Sequence, residues 1–336
     1  MPFRPGRFGK PSYMGTYDGV LNAPSGNGVL TGIRALLQIS GGDDADTLNV
    51  DDTGDLGANA GTLTSTSFTG LGMAVGIVYD TVETSNISLG DFGNTFAIDS
   101  TPDGAAVTLN TGGGADLIEV GAINGPTTIN AGDGSDTINV TPSSNRPVNS
   151  TIASPTISSA ININLHDGND QIYVSSAANV AVGDPRPDFL SGNLDEIQGA
   201  LQLDTGAGRH RLFVSDATAT IGDGAVHITS GLIHGLAPAD ITYKTDPAAG
   251  NFAAGITIWS GSGNDIINVT GTHQTAGVRE ITTLNTGNGE DHVTVTLLAG
   301  ADGFFRSVRR RWRRRDLRRH RQRPDLGWRR QRHPAG

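Results

Sequence analysis

The chain has no cysteine, which excludes disulfide staples and thiolate metal sites. Aromatic residues make up only 5% of its 336 residues and hydrophobic residues 36%, too little for a wide globular core. No run of about 18 apolar residues occurs, so no membrane-spanning helix is expected. The opening stretch, MPFRPGRFGKPSYMGTYDG, lacks the apolar segment of a signal peptide. Export would then use a signal elsewhere, or the chain is a fragment of a longer repetitive protein. Glycine is abundant at 47 residues, but without the every-third-residue period of collagen. There is no nucleophile elbow, phosphate loop or dinucleotide fingerprint.

The net charge of −10 conceals two populations. From Phe304 to Gly336 there are 14 Arg against two Asp, which leaves 10 Lys and Arg against 32 Asp and Glu before them, a balance of −22. The body is strongly acidic and the tail strongly basic.

The body repeats one phrase. It reads VTLNTGGGADLIEV from Val107, TTINAGDGSDTINV from Thr127, ININLHDGNDQIYV from Ile161 and LQLDTGAGRHRLFV from Leu201. ITIWSGSGNDIINV from Ile256 and TTLNTGNGEDHVTV from Thr282 follow, and two looser copies start at Leu37 and Ser85. The aspartate slot falls at Asp46, Asn94, Asp116, Asp136, Asp170, His210, Asp265 and Asp291, in steps of 48, 22, 20, 34, 40, 55 and 26 residues. The shortest steps fit one coil of a solenoid; the longer ones fit two coils or one coil plus a loop. A larger duplication lies over this. LTGIRALLQISGGDDADTLNV (30–50) aligns without a gap to LDEIQGALQLDTGAGRHRLFV (194–214), 164 residues on.

Each copy has the same physical grammar. Leu109, Ile118 and Val120, like Ile129, Ile138 and Val140, alternate with polar residues at period two, which buries one face of a strand. The intervening glycines let the chain turn sharply. One coil cannot bury its apolar face alone; stacked coils can. The pattern predicts an all-β fold, a right-handed parallel β-helix or β-roll. Only GIRALLQI and DEIQGALQL hint at a short helical turn.

In a parallel stack identical turns lie above one another, so acids at one slot form a column of like charge about 4.8 Å apart. Ca²⁺ suits such a column, being a hard ion that takes about six to eight oxygens from carboxylates and carbonyls. The best pair is Gly112, Gly114 and Asp116 against Gly132, Asp133, Gly134 and Asp136, a single 20-residue step. Next come Gly261, Gly263 and Asp265 with Gly287, Gly289 and Asp291, then Asp43, Asp44 and Asp46. Asp167 and Asp170 form a further candidate turn. Asn94 and His210 replace the aspartate and His166 a glycine, which sets those turns apart. The alternative is a turn that binds nothing, its Asx side chains bonded to the backbone.

GDGSDTINV, GSGNDIINV, GNGEDHVTV and GGDDADTLNV resemble the G-G-x-G-x-D nonapeptide of hemolysin-type (repeats-in-toxin) calcium-binding proteins. The likeness covers about residues 30–300, as one motif per coil rather than tandem nonapeptides. It implies a secreted or surface bacterial protein with calcium held between adjacent turns. The expected function is a calcium-stabilised structural or adhesive scaffold and not an enzyme. Its partners would be calcium, surface or matrix polysaccharide, or further repeats of the parent protein, with no nucleic acid. The alternative is a carbohydrate-active β-helix enzyme, for which Arg209, His210 and Arg211 are the basic cluster; that cluster otherwise reads as a turn that lost its ion, with arginines facing neighbouring acids, and the six His of the body read as surface residues.

Three regions stand outside the repeat. Residues 1–29 carry no clear pattern. The Pro/Ser/Thr-rich stretch 141–160 reads as a loop leaving the stack, between halves at about 30–140 and 194–300. The tail, 304–336, is expected to be disordered and to be the same repeat read in a shifted frame. With Arg as CGN, the stretch from Arg309 regroups to permit G-G-x-G-x-D-x-I-[FY]-V, and the stretch from Gly327 permits G-G-D-G-N-D-T. The alternative there is a basic arm for nucleic acid or anionic lipid.

Overall fold

The computed structural model describes residues 12–14, 27–142 and 155–308. These form an all-β solenoid: two sheets of twelve strands each, A and B, in which successive coils pair in parallel. Among the described residues there is no helix, and so none long and apolar enough to cross a membrane. The helical hint at residues 32–39 is no helix: a single turn closed by the Ile33 N–H on the Leu30 carbonyl leads into the strand Leu37–Ser40.

A coil is easiest to follow at Thr127–Asn130 in sheet A, the turn Ala131–Asp136, and Thr137–Val140 in sheet B. Its neighbours, Ala106–Asn110 with Leu117–Ala122 and Ile161–Asn164 with Gln171–Val174, pair in register with it on both sides. Alternate residues point inward and stack: Leu109, Ile129, Ile163 and Leu203 in sheet A, and Ile118, Ile138, Ile172 and Leu212 in sheet B, all at most 2% exposed. Full burial of each such side chain is worth about 1.5–3 kcal/mol. The stack supplies this because each interior coil has its inner face covered by its neighbours.

The pairings recur along the chain. Leu37–Ser40 and Thr47–Asp51 are followed by an antiparallel excursion, Ala60–Leu63, Ser67–Gly70 and Ile77–Asp80, whose last strand pairs back with Leu37–Ser40. Leu201–Asp204 and Arg211–Ser215 are followed by the same excursion, Val226–Ile228, Leu232–His234 and Ile241–Lys244, which pairs back with Leu201–Asp204. The first excursion lies in sheet B and the second in sheet A. The 164-residue offset therefore relates units rotated by half a coil about the solenoid axis.

Several segments differ from the sequence expectation. Phe304–Val308 is no part of a tail: it pairs with Ile281–Asn285 as the last strand of sheet B. Residues 309–336 lie outside the described residues, and with them the shifted-frame reading. Of the stretch 141–160, residues 143–154 also lie outside. Ile157 is back in the stack, fully buried and bridged to Ile123 and Ile197. In the N-terminal segment Ser12–Met14 pairs in parallel with Leu48–Val50.

Candidate metal site at the glycine–aspartate turns

The glycines of the turn answer two constraints at once. Gly112, Gly114, Gly132 and Gly134 have φ of 85°, 104°, 83° and 156°, the left-handed side that disfavours a Cβ. A Cβ on Gly132 would also land on the Gly112 carbonyl oxygen, and one on Gly134 on the Gly114 carbonyl oxygen. Each coil thus aims glycine carbonyls at the backbone of the next. No described hydrogen bond ends on the carbonyls of Gly112, Gly114, Gly132 or Gly134. His166 keeps the turn by adopting φ 56° in a glycine slot.

The slot residue points inward. Asp116, Asp136 and Asp170 are each 0% exposed. Their Oδ1 atoms form a ladder between coils: Asn94 N–H donates to Asp116 at 2.6 Å, Asp116 N–H to Asp136 at 2.9 Å, and Asp136 N–H to Asp170 at 3.0 Å. These bonds satisfy N–H groups that the turn would leave buried and unpaired. The Oδ2 atoms of Asp116 and Asp136 have no hydrogen-bond partner. The Asp170 Oδ2 is likewise without a hydrogen bond, but His210 Nδ1 lies 3.1 Å from it, an ion pair when the ring is protonated. His210 is itself 0% exposed, so it belongs to the column and not to the surface. At the other end Asn94 is satisfied within the protein, its Nδ2 donating to the carbonyls of Gly90 and Thr111.

Burial dominates the electrostatics. It raises Asp116 to about 6, against the Thr111 hydroxyl and the Asn94 N–H, which both favour the charged form. It raises Asp136 to about 8, with the charges of Asp170, Asp116 and Asp133 adding to the effect against the Asp116 N–H bond. Asp170 is also raised by burial, partly offset by His210. Two carboxylates one coil apart, about 4.8 Å, repel by about 3–4 kcal/mol at an effective dielectric near 20. A charge-assisted hydrogen bond returns about 1.5–3 kcal/mol. The repulsion wins, so an ionised column needs a proton or a cation.

The aspartates do not form one column. Asp116, Asp136 and Asp170 stack at the edge where the chain passes from sheet A to sheet B. Asp46, Asp265 and Asp291 lie at the opposite edge, where it passes from B to A. The 48- and 55-residue steps are the two that cross between edges. On the second edge the ladder recurs, with Asp265 N–H on Asp291 Oδ1 at 3.3 Å and Asp46 N–H on Glu83 Oε2 at 2.7 Å. Asp265 is buried, its Oδ2 taken by the Ser260 hydroxyl at 2.5 Å. Gly287 and Gly289 repeat the left-handed turn, whereas Gly261 and Gly263 do not. Asp43, Asp44, Asp133 and Asp167 are exposed at the turn tips.

The 164-residue alignment leads to three further acids outside the repeated phrase, Asp52 and Asp216 buried and Asp223 half-buried. Asp52 accepts the Leu30 N–H at 2.9 Å and Asp216 the Leu194 N–H at 2.8 Å, the same bond 164 residues apart. Burial raises Asp52 to about 6 and Asp216 to about 7. Asp223, whose N–H donates to Asp265 Oδ1 at 2.9 Å, stands where the first unit has Asn59. The 164-residue alignment, extended past Val50 and Val214, was the signal that leads to them.

The basic cluster does not converge. Arg209 reaches out to the Ala253 carbonyl, Arg211 holds Gln171 Oε1 at 2.6 Å, and His210 faces inward. Among the described residues no three acidic or histidine side chains come close enough to hold a metal by themselves. A cation at the first edge would have to sit between coils, sharing the free Oδ2 atoms of Asp116 and Asp136 and the free glycine carbonyls. That all-oxygen set fits the chemistry of Ca²⁺. No family model matches the chain, and no curated protein matches it. The likeness to hemolysin-type repeats therefore rests on the turn motifs alone.

Proposed function

We propose that this chain is a calcium-binding structural and adhesive repeat scaffold of a secreted or cell-surface bacterial protein. One observation carries the reading: Asp116 and Asp136 are stacked and fully buried, and each keeps a carboxylate oxygen with no partner in hydrogen-bond geometry. A cation between their coils neutralises the column and completes both side chains. Extracellular calcium modules work at about 10⁻⁴–10⁻³ M, so the solenoid would tighten after export, when it meets calcium. The residues hold and orient; no catalytic step is assigned to them.

The test is a calcium titration followed by circular dichroism and calorimetry. Calcium should sharpen the β signal and raise the melting temperature. Asp136→Ala should weaken binding more than Asp170→Ala, because a protonated His210, 3.1 Å from the Asp170 Oδ2, competes with a cation there. An unchanged melting temperature on chelation would sink the reading and leave the column to protons.

A further inference from the structure

The outer face of sheet A bears a strip that neither the core nor the turns use. Thr108, Thr128, Asn162, Gln202 and Thr242 are in register on five successive strands and point away from the core. At one strand spacing per coil they span about 19 Å. No described side chain bonds Thr108, Thr128, Asn162 or Gln202, and Thr242 makes only a 3.4 Å bond to the Leu201 carbonyl. The adjacent column differs: Asn164 Nδ2 donates to Asn130 Oδ1 at 2.8 Å, and Asn130 Nδ2 to Asn110 Oδ1 at 2.7 Å. One column ties the coils together while its neighbour offers free hydroxyls and amides. Over Asn162, Gln202 and Thr242 the strip sinks into a trough of about 590 Å³, which Gly231 also lines.

The charge of this strip narrows the partner. The two charged side chains that line the trough beside it, Asp204 and Lys244, pair at 2.8 Å and cancel, on a body whose balance is −22. A polyanion such as nucleic acid or an acidic glycan is repelled by that body. A protein partner would need an apolar or aromatic centre to its contact, and this column presents only amides and hydroxyls. A polycation would settle on the acidic turns instead. Groups that both donate and accept, repeated at a fixed interval along a straight axis, match a linear chain of hydroxyls.

We infer that this strip binds a neutral, linear polysaccharide lying along the solenoid axis. With no aromatic platform each coil contributes little, and affinity comes from repetition along one glycan. The site adds a ligand to the scaffold reading and does not depend on calcium at the turns.

Affinity electrophoresis in saturating calcium tests it, through gels holding hydroxyethylcellulose, galactomannan or dextran, with alginate and polygalacturonate as anionic counterparts. At least one neutral glycan should retard the protein. Asn162→Ala combined with Gln202→Ala should weaken that retardation ten-fold or more, while Thr283→Ala on sheet B leaves it unchanged. If the double variant melts early, the single exposed change Gln202→Glu should still weaken it. No retardation by any neutral glycan, retardation by the anionic ones alone, or retention that survives these changes overturns the inference. The calcium dependence of the melting temperature is read separately, so either idea can fail alone.

Discussion

The backbone N–H of Asp116 donates to Oδ1 of Asp136, one coil further on, at 2.9 Å. Half of the Asp136 carboxylate thus fastens two coils, and the other half is buried with no partner. The same side chain is a structural tie and an unneutralised charge, and each consequence can be measured.

The first is pH dependence without metal. Asp136 moves from 3.8 to about 8 on folding and Asp116 from 3.8 to about 6. Folded carboxyls with raised values keep more protons than the unfolded chain, so stability falls as pH rises. Their contribution is whole below about pH 4 and is lost through about pH 6 and then about pH 8. Melting temperature in EGTA should therefore fall from pH 5 to pH 8, and calcium should restore it at pH 8. Equal melting temperatures at both pH values in EGTA would contradict the buried column.

Exchanging the slot residues should separate the tie from the charge. Asp136→Asn keeps the Oδ1 acceptor and removes the charge. Metal-free stability at pH 8 should rise, by about 2–4 °C per kcal/mol gained, and the calcium response should shrink. Asn94→Asp does the reverse. It deletes the bonds from Nδ2 to Gly90 and Thr111, costing about 1–3 kcal/mol without metal, while extending the acidic column by one coil. Thermal melts with and without calcium check both.

Two glycines with similar backbone angles should respond differently to alanine. Gly104 has φ 70° and open space where a Cβ would go, so Gly104→Ala should cost about 1–2 kcal/mol of left-handed strain. Gly132 has φ 83°, but its Cβ would land on the Gly112 carbonyl. Gly132→Ala must push two coils apart and should cost well over 2 kcal/mol in denaturant titration. Equal losses would mean that the turn, not the stacking, demands glycine.

The tail can be tested through register. Val308 pairs with Asn285, the last strand residue before the turn that opens at Thr286, and the next residue in the sequence is Arg309. The shifted-frame motif G-G-x-G-x-D begins at that same residue, with no gap. Deleting 309–336 should leave the melting temperature unchanged, whereas a frame-restored variant should raise it and bind more calcium in calorimetry. A source DNA whose shifted frame meets stop codons would return the tail to a basic arm.

What the sequence determined by itself is everything that repeats locally. Period-two apolar residues such as Ile129, Ile138 and Val140 dictate strands with one buried face, and glycines at Gly132 and Gly134 dictate a left-handed turn between them. Those rules act within a few residues, so a parallel solenoid could be read from the letters. The identity of the slot residues was equally legible, down to the exceptional Asn94 and His210. The tertiary structure decided which turns share an edge, because that depends on how many half-coils separate them. The excursion at 226–244 puts Asp265 across the solenoid from Asp170, as the one at 60–80 puts Asp46 across from Asn94. It also decided that Asp136 faces inward, where Oδ1 finds the neighbouring coil's N–H and Oδ2 finds no partner. That direction follows from the twist of each turn and the spacing of its neighbours, two quantities that exist only once the coils are stacked.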